Sequence, residues 1–184
     1  INTSITNYIT NNLKKFDQKF RYSKLVQDID NTSDAIRNNK TTIKYQQRIT
    51  PTTLNLAANY TLNFSNALEK GTVSSTSFVG TDGNTYSLVD DSLGIIKAAR
   101  TTSGVVDSPK LYLIQTDGST DQGTVDYTTG KVVLTNLQPV TISDGTGDIR
   151  FNVTPEINNS DITPLREQIL TYDSTDTTAI TINM

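Results

Sequence analysis

Carboxylates, hydroxyls and lysines are the side chains with which this 184-residue chain could do chemistry, because it contains no His, no Cys and no Trp. The imidazole base, the thiolate nucleophile and the soft metal ligands of many enzyme sites are therefore missing. What remains is carboxylate pairs, Ser with Lys, or oxygen ligands around a hard cation. Asp90 and Asp91 are adjacent, so a strand would turn them to opposite faces, where they could not share a proton or a substrate. Asp107 and Asp126 would form a glycosidase pair only if the fold brought them face to face. Asp117-Gly118-Ser119-Thr120-Asp121 and Asp144-Gly145-Thr146-Gly147-Asp148 look like calcium loops but lack the D-x-[DN]-x-[DN]-G order and the Glu at the twelfth place. Gly71, Gly80 and Gly83 lack the Lys-Ser/Thr ending of a phosphate loop. The reading is a non-enzyme, a builder or binder, with no catalytic residue, no metal ligand and no cofactor assigned.

The elements that would position any site divide into two regions of different period. From Thr3 to Phe20, Ile5, Tyr8, Ile9, Leu13, Phe16 and Phe20 fall on one face of an expected helix, with Thr3 or Ser4 as cap and Lys14, Lys15 and Lys19 near its C-terminal end. A second short helix is expected from Ser23, presenting Leu25, Val26 and Ile29 before Asp30-Asn31 ends it. From Thr41 onward the period is two. Ile43, Tyr45, Gln47 and Ile49 share a strand face, Pro51 interrupts the ladder, and Tyr60, Leu62 and Phe64 form the next alternating set. Asp82-Gly83 between Phe78-Val79 and Tyr86-Leu88 reads as a hairpin, as does Gly123 to Leu137 turning at Thr128-Thr129-Gly130. Leu111 to Gln115, Ile149 to Val153 and Ala179 to Ile182 complete the expected strands. Ile162 to Leu170 reads as a helical turn with Pro164 at its first position, or as an extended arm. The fold class expected is α+β: a helical segment over 1–40, then a mainly antiparallel β domain over 41–184.

Composition adds a constraint. Hydrophobic residues reach 34%, a thin supply against the backbone entropy that burial must offset, so part of the burial is expected to come from other subunits. The net charge of -3 conceals a division along the chain: residues 1–50 sum to +5 and the remainder to -8. Opposed patches of this kind suit head-to-tail docking between copies or neighbours. The basic half is too diluted by Asp, and the whole too acidic, for nucleic-acid binding to be expected. No apolar run approaches the ~20 residues that span a bilayer, so no membrane association is expected, and Ile1 in place of an initiator Met reads as a fragment or a processed product. The two amphipathic helices either pack as a pair on their own domain or share their stripe with a partner; on the second reading the candidate subunit interface is the apolar stripe Ile5, Ile9, Leu13, Phe16 and Phe20, framed by Lys14, Lys15 and Arg21.

Four motifs occur in order: Phe16-x-x-x-Phe20-Arg21-x-Ser23-Lys24-Leu25 with Ile29-Asp30 following, Arg48-x-Thr50-Pro51, Gly123-x-Val125-Asp126-Tyr127-x-x-Gly130-x-Val132, and Ile162-x-Pro164-Leu165-Arg166-x-Gln168-Ile169-Leu170. The series resembles the C-terminal part of the baseplate wedge ring subunit of T-even-type, contractile-tailed bacteriophages, particularly those infecting cyanobacteria. The resemblance implies structural work in the virion's tail baseplate after assembly in the bacterial host cytoplasm. It implies pairing with itself as a dimer or ring, contact with other wedge proteins around the tail tube, and no small-molecule substrate. A carbohydrate- or receptor-binding module of a tail fibre or surface protein is the alternative, since eight Tyr are available to gather on one face.

Overall fold

The computed structural model describes residues 1–162 apart from Phe16, Asp17, Ala35, Arg37, Asn38, Lys40, Asp144 and 157–160. In chain order the elements are α1 (Asn2–Asn12), β1 (Phe20–Arg21), α2 (Tyr22–Asp30), β2 (Tyr45–Ile49), β3 (Ala58–Asn63), β4 (Ser74–Ser75), β5 (Phe78–Val79), β6 (Thr85–Asp90), β7 (Ile95–Thr102), β8 (Val105–Val106), β9 (Asp121–Asp126), β10 (Lys131–Leu137), β11 (Thr141–Ile142), β12 (Ile149–Val153) and β13 (Asp161–Ile162). The class is α+β, a short helical segment followed by a mainly antiparallel β domain. Two compact units result: a helical one built on Ile1–Thr42, in which β1 pairs antiparallel with β13, and a β unit over Ile43–Glu156.

The β unit is one antiparallel sheet, ordered β2-β12-β4-β6-β7-β9-β10-β3, with β5 joining β6 to β11 and β8 flanking β7. Period-two alternation sends Leu88, Ile96, Ala98, Val132, Leu134, Ile149, Phe151 and Val153 to one interior, all fully buried. The two ends of the path meet. Gln47 of β2 donates from Nε2 to the Asn63 carbonyl of β3 at 2.7 Å and accepts the Asn63 N–H on Oε1 at 3.2 Å. A side-chain amide thus takes the place of a neighbouring strand on an otherwise open edge. Tyr45 and Phe64 stack beside this seam with ring centroids 6.4 Å apart.

Both expected hairpins form. Phe78 pairs with Tyr86 across Asp82-Gly83, where Gly83 has φ +81. Val125 pairs with Val132, and Gly130, at φ +70, closes the turn by donating to the Asp126 carbonyl at 2.9 Å. Gly123 lies so close to β10 that a Cβ there would overlap the carbonyl oxygen of Val133.

Three expectations are corrected. The first helix ends at Asn12, not Phe20: Asn11 and Asn12 are weak helix formers, Leu13 caps the helix, and the N–H groups of Leu13 and Lys14 both turn back to the Ile9 carbonyl. Neither Thr3 nor Ser4 caps its start, where Ile1 holds the cap position without a side-chain bond. Leu111 to Gln115 forms no strand. It touches β7 through the single bridge Ala99–Tyr112, with β9 occupying the adjoining length of the same β7 edge. The turn or arm expected over 162–170 falls outside the described residues from Thr163 on, as does the strand expected over Ala179 to Ile182.

Replacing Gln47 by Ala should cost about 1 kcal/mol of unfolding free energy, because water can reach the exposed Asn63 groups it leaves. Amide hydrogen exchange at Asn63 should accelerate selectively. Unchanged protection at that amide would mean that the seam is held by something else.

Candidate subunit interface

In the helical unit, α1 and α2 run antiparallel, tied at one end by the Ser4 and Thr32 hydroxyls at 2.8 Å and at the other by Lys24 Nζ donating to Asn12 Oδ1 at 2.7 Å. Between these ties lies a small interior of Tyr8, Ile9, Leu13, Phe20, Leu25 and Ile29, each buried. Tyr8 anchors it. Its ring meets Phe20 edge-on at 5.9 Å, its hydroxyl donates to the Arg21 carbonyl, and the Arg21 N–H donates back to that hydroxyl, both at 3.1 Å. Part of the helix-period stripe is therefore occupied inside the unit itself.

The expected interface residues separate accordingly. Ile9, Leu13 and Phe20 are buried, Phe20 on β1 instead of on the helix, and Ile5 is half-buried. Lys14, Lys15 and Arg21 are exposed, and Phe16 lies outside the described residues. Lys19 and Lys24, outside the expected interface set, are exposed as well. The end of α1 and the start of α2 lie together at the Asn12–Lys24 bond, so Lys14, Lys15, Arg21 and Lys24 mark one cationic end of this unit. Only the sign of the local sequence points to this patch; the folding back of α2 on α1 is not visible in it.

The carboxylates of the β unit serve the fold locally. Asp90 and Asp91 do part company. Asp90 is buried, accepting from the Gly71 N–H at 2.7 Å, the Val73 N–H at 3.0 Å and the Tyr127 hydroxyl at 2.7 Å. Asp91 accepts from the N–H groups of Leu93 at 2.8 Å and Ile95 at 3.0 Å, and the Ile95 bond leads in holding its carboxyl below the usual carboxylate range. Asp107 takes the Arg100 guanidinium at 2.6 Å and the Thr102 hydroxyl at 2.7 Å, which lower its pKa. Asp126 receives the Thr128 and Thr129 N–H groups within its own turn and is likewise lowered, chiefly by Thr129. Asp107 and Asp126 are thus each engaged by their own hairpins. Asp117 accepts from the Ser119 N–H as an ordinary turn former. Among the described residues no group of three or more His, Cys, Asp or Glu is placed to hold a metal ion.

Three tyrosines are held neutral. Burial pushes Tyr45 up to about 12, and burial with the hydrogen bond to Asp82 pushes Tyr86 up to about 12. Tyr127 is raised too, first by burial and then by Asp90, while Lys70 stands 5.8 Å from its ring centroid.

Residues 1–48 match the family model described as baseplate structural protein gp6, C-terminal domain III. The match runs through α1, β1 and α2 and into β2. No curated protein matches the chain. The match supports a structural role in a phage tail baseplate, among other baseplate proteins.

Tyrosines whose folded pKa lies above the unfolded value of about 10 stabilise the fold fully below that pH and lose their contribution as the pH rises through the folded value. Alkaline unfolding should therefore begin near pH 10 and progress toward pH 12. In a phenolate absorbance titration Tyr45, Tyr86 and Tyr127 should ionise above the ordinary tyrosine value of about 10, so changing each to Phe should remove amplitude from the alkaline end of the curve; loss of amplitude near pH 10 instead would contradict their placement. Asp90→Ala, which leaves three donors without their acceptor, should lower stability by about 3 kcal/mol in denaturant unfolding, whereas Asp126→Ala at the surface should cost about 1 kcal/mol or less.

Proposed function

We propose that this chain is a structural subunit of a contractile phage tail baseplate wedge of the T-even type, associating with copies of itself and with other wedge proteins to form the ring around the tail tube. The observation that carries the reading is the match of residues 1–48 to a baseplate structural family, which covers the helices of the helical unit and extends into β2. Among the described residues, the interior of that unit is formed by Tyr8, Ile9, Leu13, Phe20, Leu25 and Ile29, and burial against a neighbour would add to it. The β unit is different, with a sheet interior sealed by its own side chains.

The docking surface proposed is the cationic end carrying Lys14, Lys15 and Arg21, with half-buried Ile5 toward the other end of α1. Its complement is acidic, and the stretch after residue 50, at -8, supplies such a surface on a second copy. Charge complementarity sets register and encounter rate, while the apolar contact between helix faces supplies the affinity. The chain does its work by holding neighbours in place.

Sedimentation velocity across a concentration series should show association that weakens with added salt. The combined change Lys14→Glu, Lys15→Glu and Arg21→Glu should weaken it at least tenfold while leaving the far-UV circular dichroism of the chain unaltered. A strict monomer at high concentration would remove self-association from this reading. Unaltered association in the charge-reversed chain would move the interface elsewhere.

A further inference from the structure

The β unit carries a groove of about 290 Å³ on the outer face of its sheet, bounded by residues 75–77 and 143 on one side and by the β7–β8 hairpin on the other. Ser87 and Thr101 form its floor. Ser87 pairs with Ala99, and Thr101 follows two residues further along β7, so both side chains leave the sheet on the face opposite Leu88, Ile96 and Ala98. Among the described residues, every side chain lining the groove is a hydroxyl, from Ser75, Thr76, Ser77, Ser87, Thr101 and Ser143, and none is charged. Part of this array is fixed in place. Ser75 Oγ accepts the Leu88 N–H and donates to the Thr76 carbonyl, both at 2.8 Å, and Thr76 Oγ1 accepts the Arg150 N–H at 3.0 Å.

Thr101 stands apart from these. It is 7% exposed, and its Oγ1 has no hydrogen-bond partner among the described residues. A buried hydroxyl without a partner is costly, and such groups in native folds call for a ligand, a water or a functional reason. We propose that the groove binds a neutral saccharide unit, with Thr101 Oγ1 as its central contact.

Three features select that chemistry. Hydroxyls both donate and accept, so an uncharged lining matches a ligand carrying both capacities without net charge. The floor is a sheet face, not an edge: β6 is paired with β4 and β5 on one side and with β7 on the other. The floor itself thereby offers no strand edge for an added peptide backbone, which would otherwise dock by extending the ladder. The groove is also open to solvent on one side, which suits one unit of a longer glycan better than an enclosed small metabolite. It belongs wholly to the β unit, so the inference does not depend on the wedge reading.

The probes are maltotriose, N,N′,N″-triacetylchitotriose and, as the peptide control, trialanine, each titrated into the isotopically labelled chain and followed by backbone amide shifts. At least one saccharide should give saturable shifts centred on Ser77, Ser87, Thr101 and Ser143. Thr101→Val keeps the shape and removes the hydroxyl. It should weaken saccharide binding at least tenfold, yet melt at the same temperature as the unchanged chain or higher, because an unpaired buried hydroxyl has gone. The control substitution is Ser92→Ala, at an exposed position outside the groove, which should bind as the unchanged chain does. No saturable shift with either saccharide, equal binding by Thr101→Val, or shifts with trialanine alone would each overturn the proposal.

Discussion

Closure of the antiparallel sheet is the constraint on which the β unit depends. With hydrophobic residues at 34%, the interior can be dry only if nearly every inward position of the sheet faces other inward positions. An open, flat sheet would leave half of that scarce material wet. The path from β2 to β3 returns to its starting point, and the carboxamide of Gln47 joins the two ends where the described residues supply no further strand. Leu134, Ile149 and Phe151 are fully buried as a consequence. The shortage that the composition implies is met by geometry in this unit.

Polar groups complete what the apolar ones cannot. Asp90 reaches inward and gathers the backbone of the loop before β4 and the hydroxyl of Tyr127, which lies in the turn between β9 and β10, so one carboxylate connects segments distant in the chain. A buried carboxyl group is tolerated when each of its oxygens is hydrogen-bonded, and here both are. Asp91, Asp107 and Asp126 do smaller versions of the same work at turns. Their pKa values are held down by local donors, which leaves them ionised and occupied, the opposite of a shared-proton pair.

Strand alternation and turn chemistry make most of the β unit legible from residues alone, because both are short-range. Val125 to Leu134 and Phe78 to Leu88 need only a glycine at the right place and a period of two. The 3.6 spacing overextends the first helix because Phe16 and Phe20 continue it past Asn11-Asn12, and spacing is silent about where propensity stops. Phe20 instead forms a two-residue strand with Ile162, a partner 142 positions away that local pattern cannot reveal. Leu113 does pack against the interior, yet its segment makes no ladder because β9 already holds the adjoining edge. The Gln47 seam is hidden for the same reason: a glutamine in an alternating strand carries no sign that its side chain will replace a strand.

The two units divide the labour proposed for them, a β unit that seals itself and a helical unit that presents cations and matches a baseplate structural family. Cryo-electron microscopy of assembled tails containing the parent protein tests that division most directly. The expected map encloses the α1–α2 pair between neighbouring subunits, with acidic side chains facing Lys14, Lys15 and Arg21. A map in which that pair stands free in solvent, with the contacts made through the β unit alone, would contradict it.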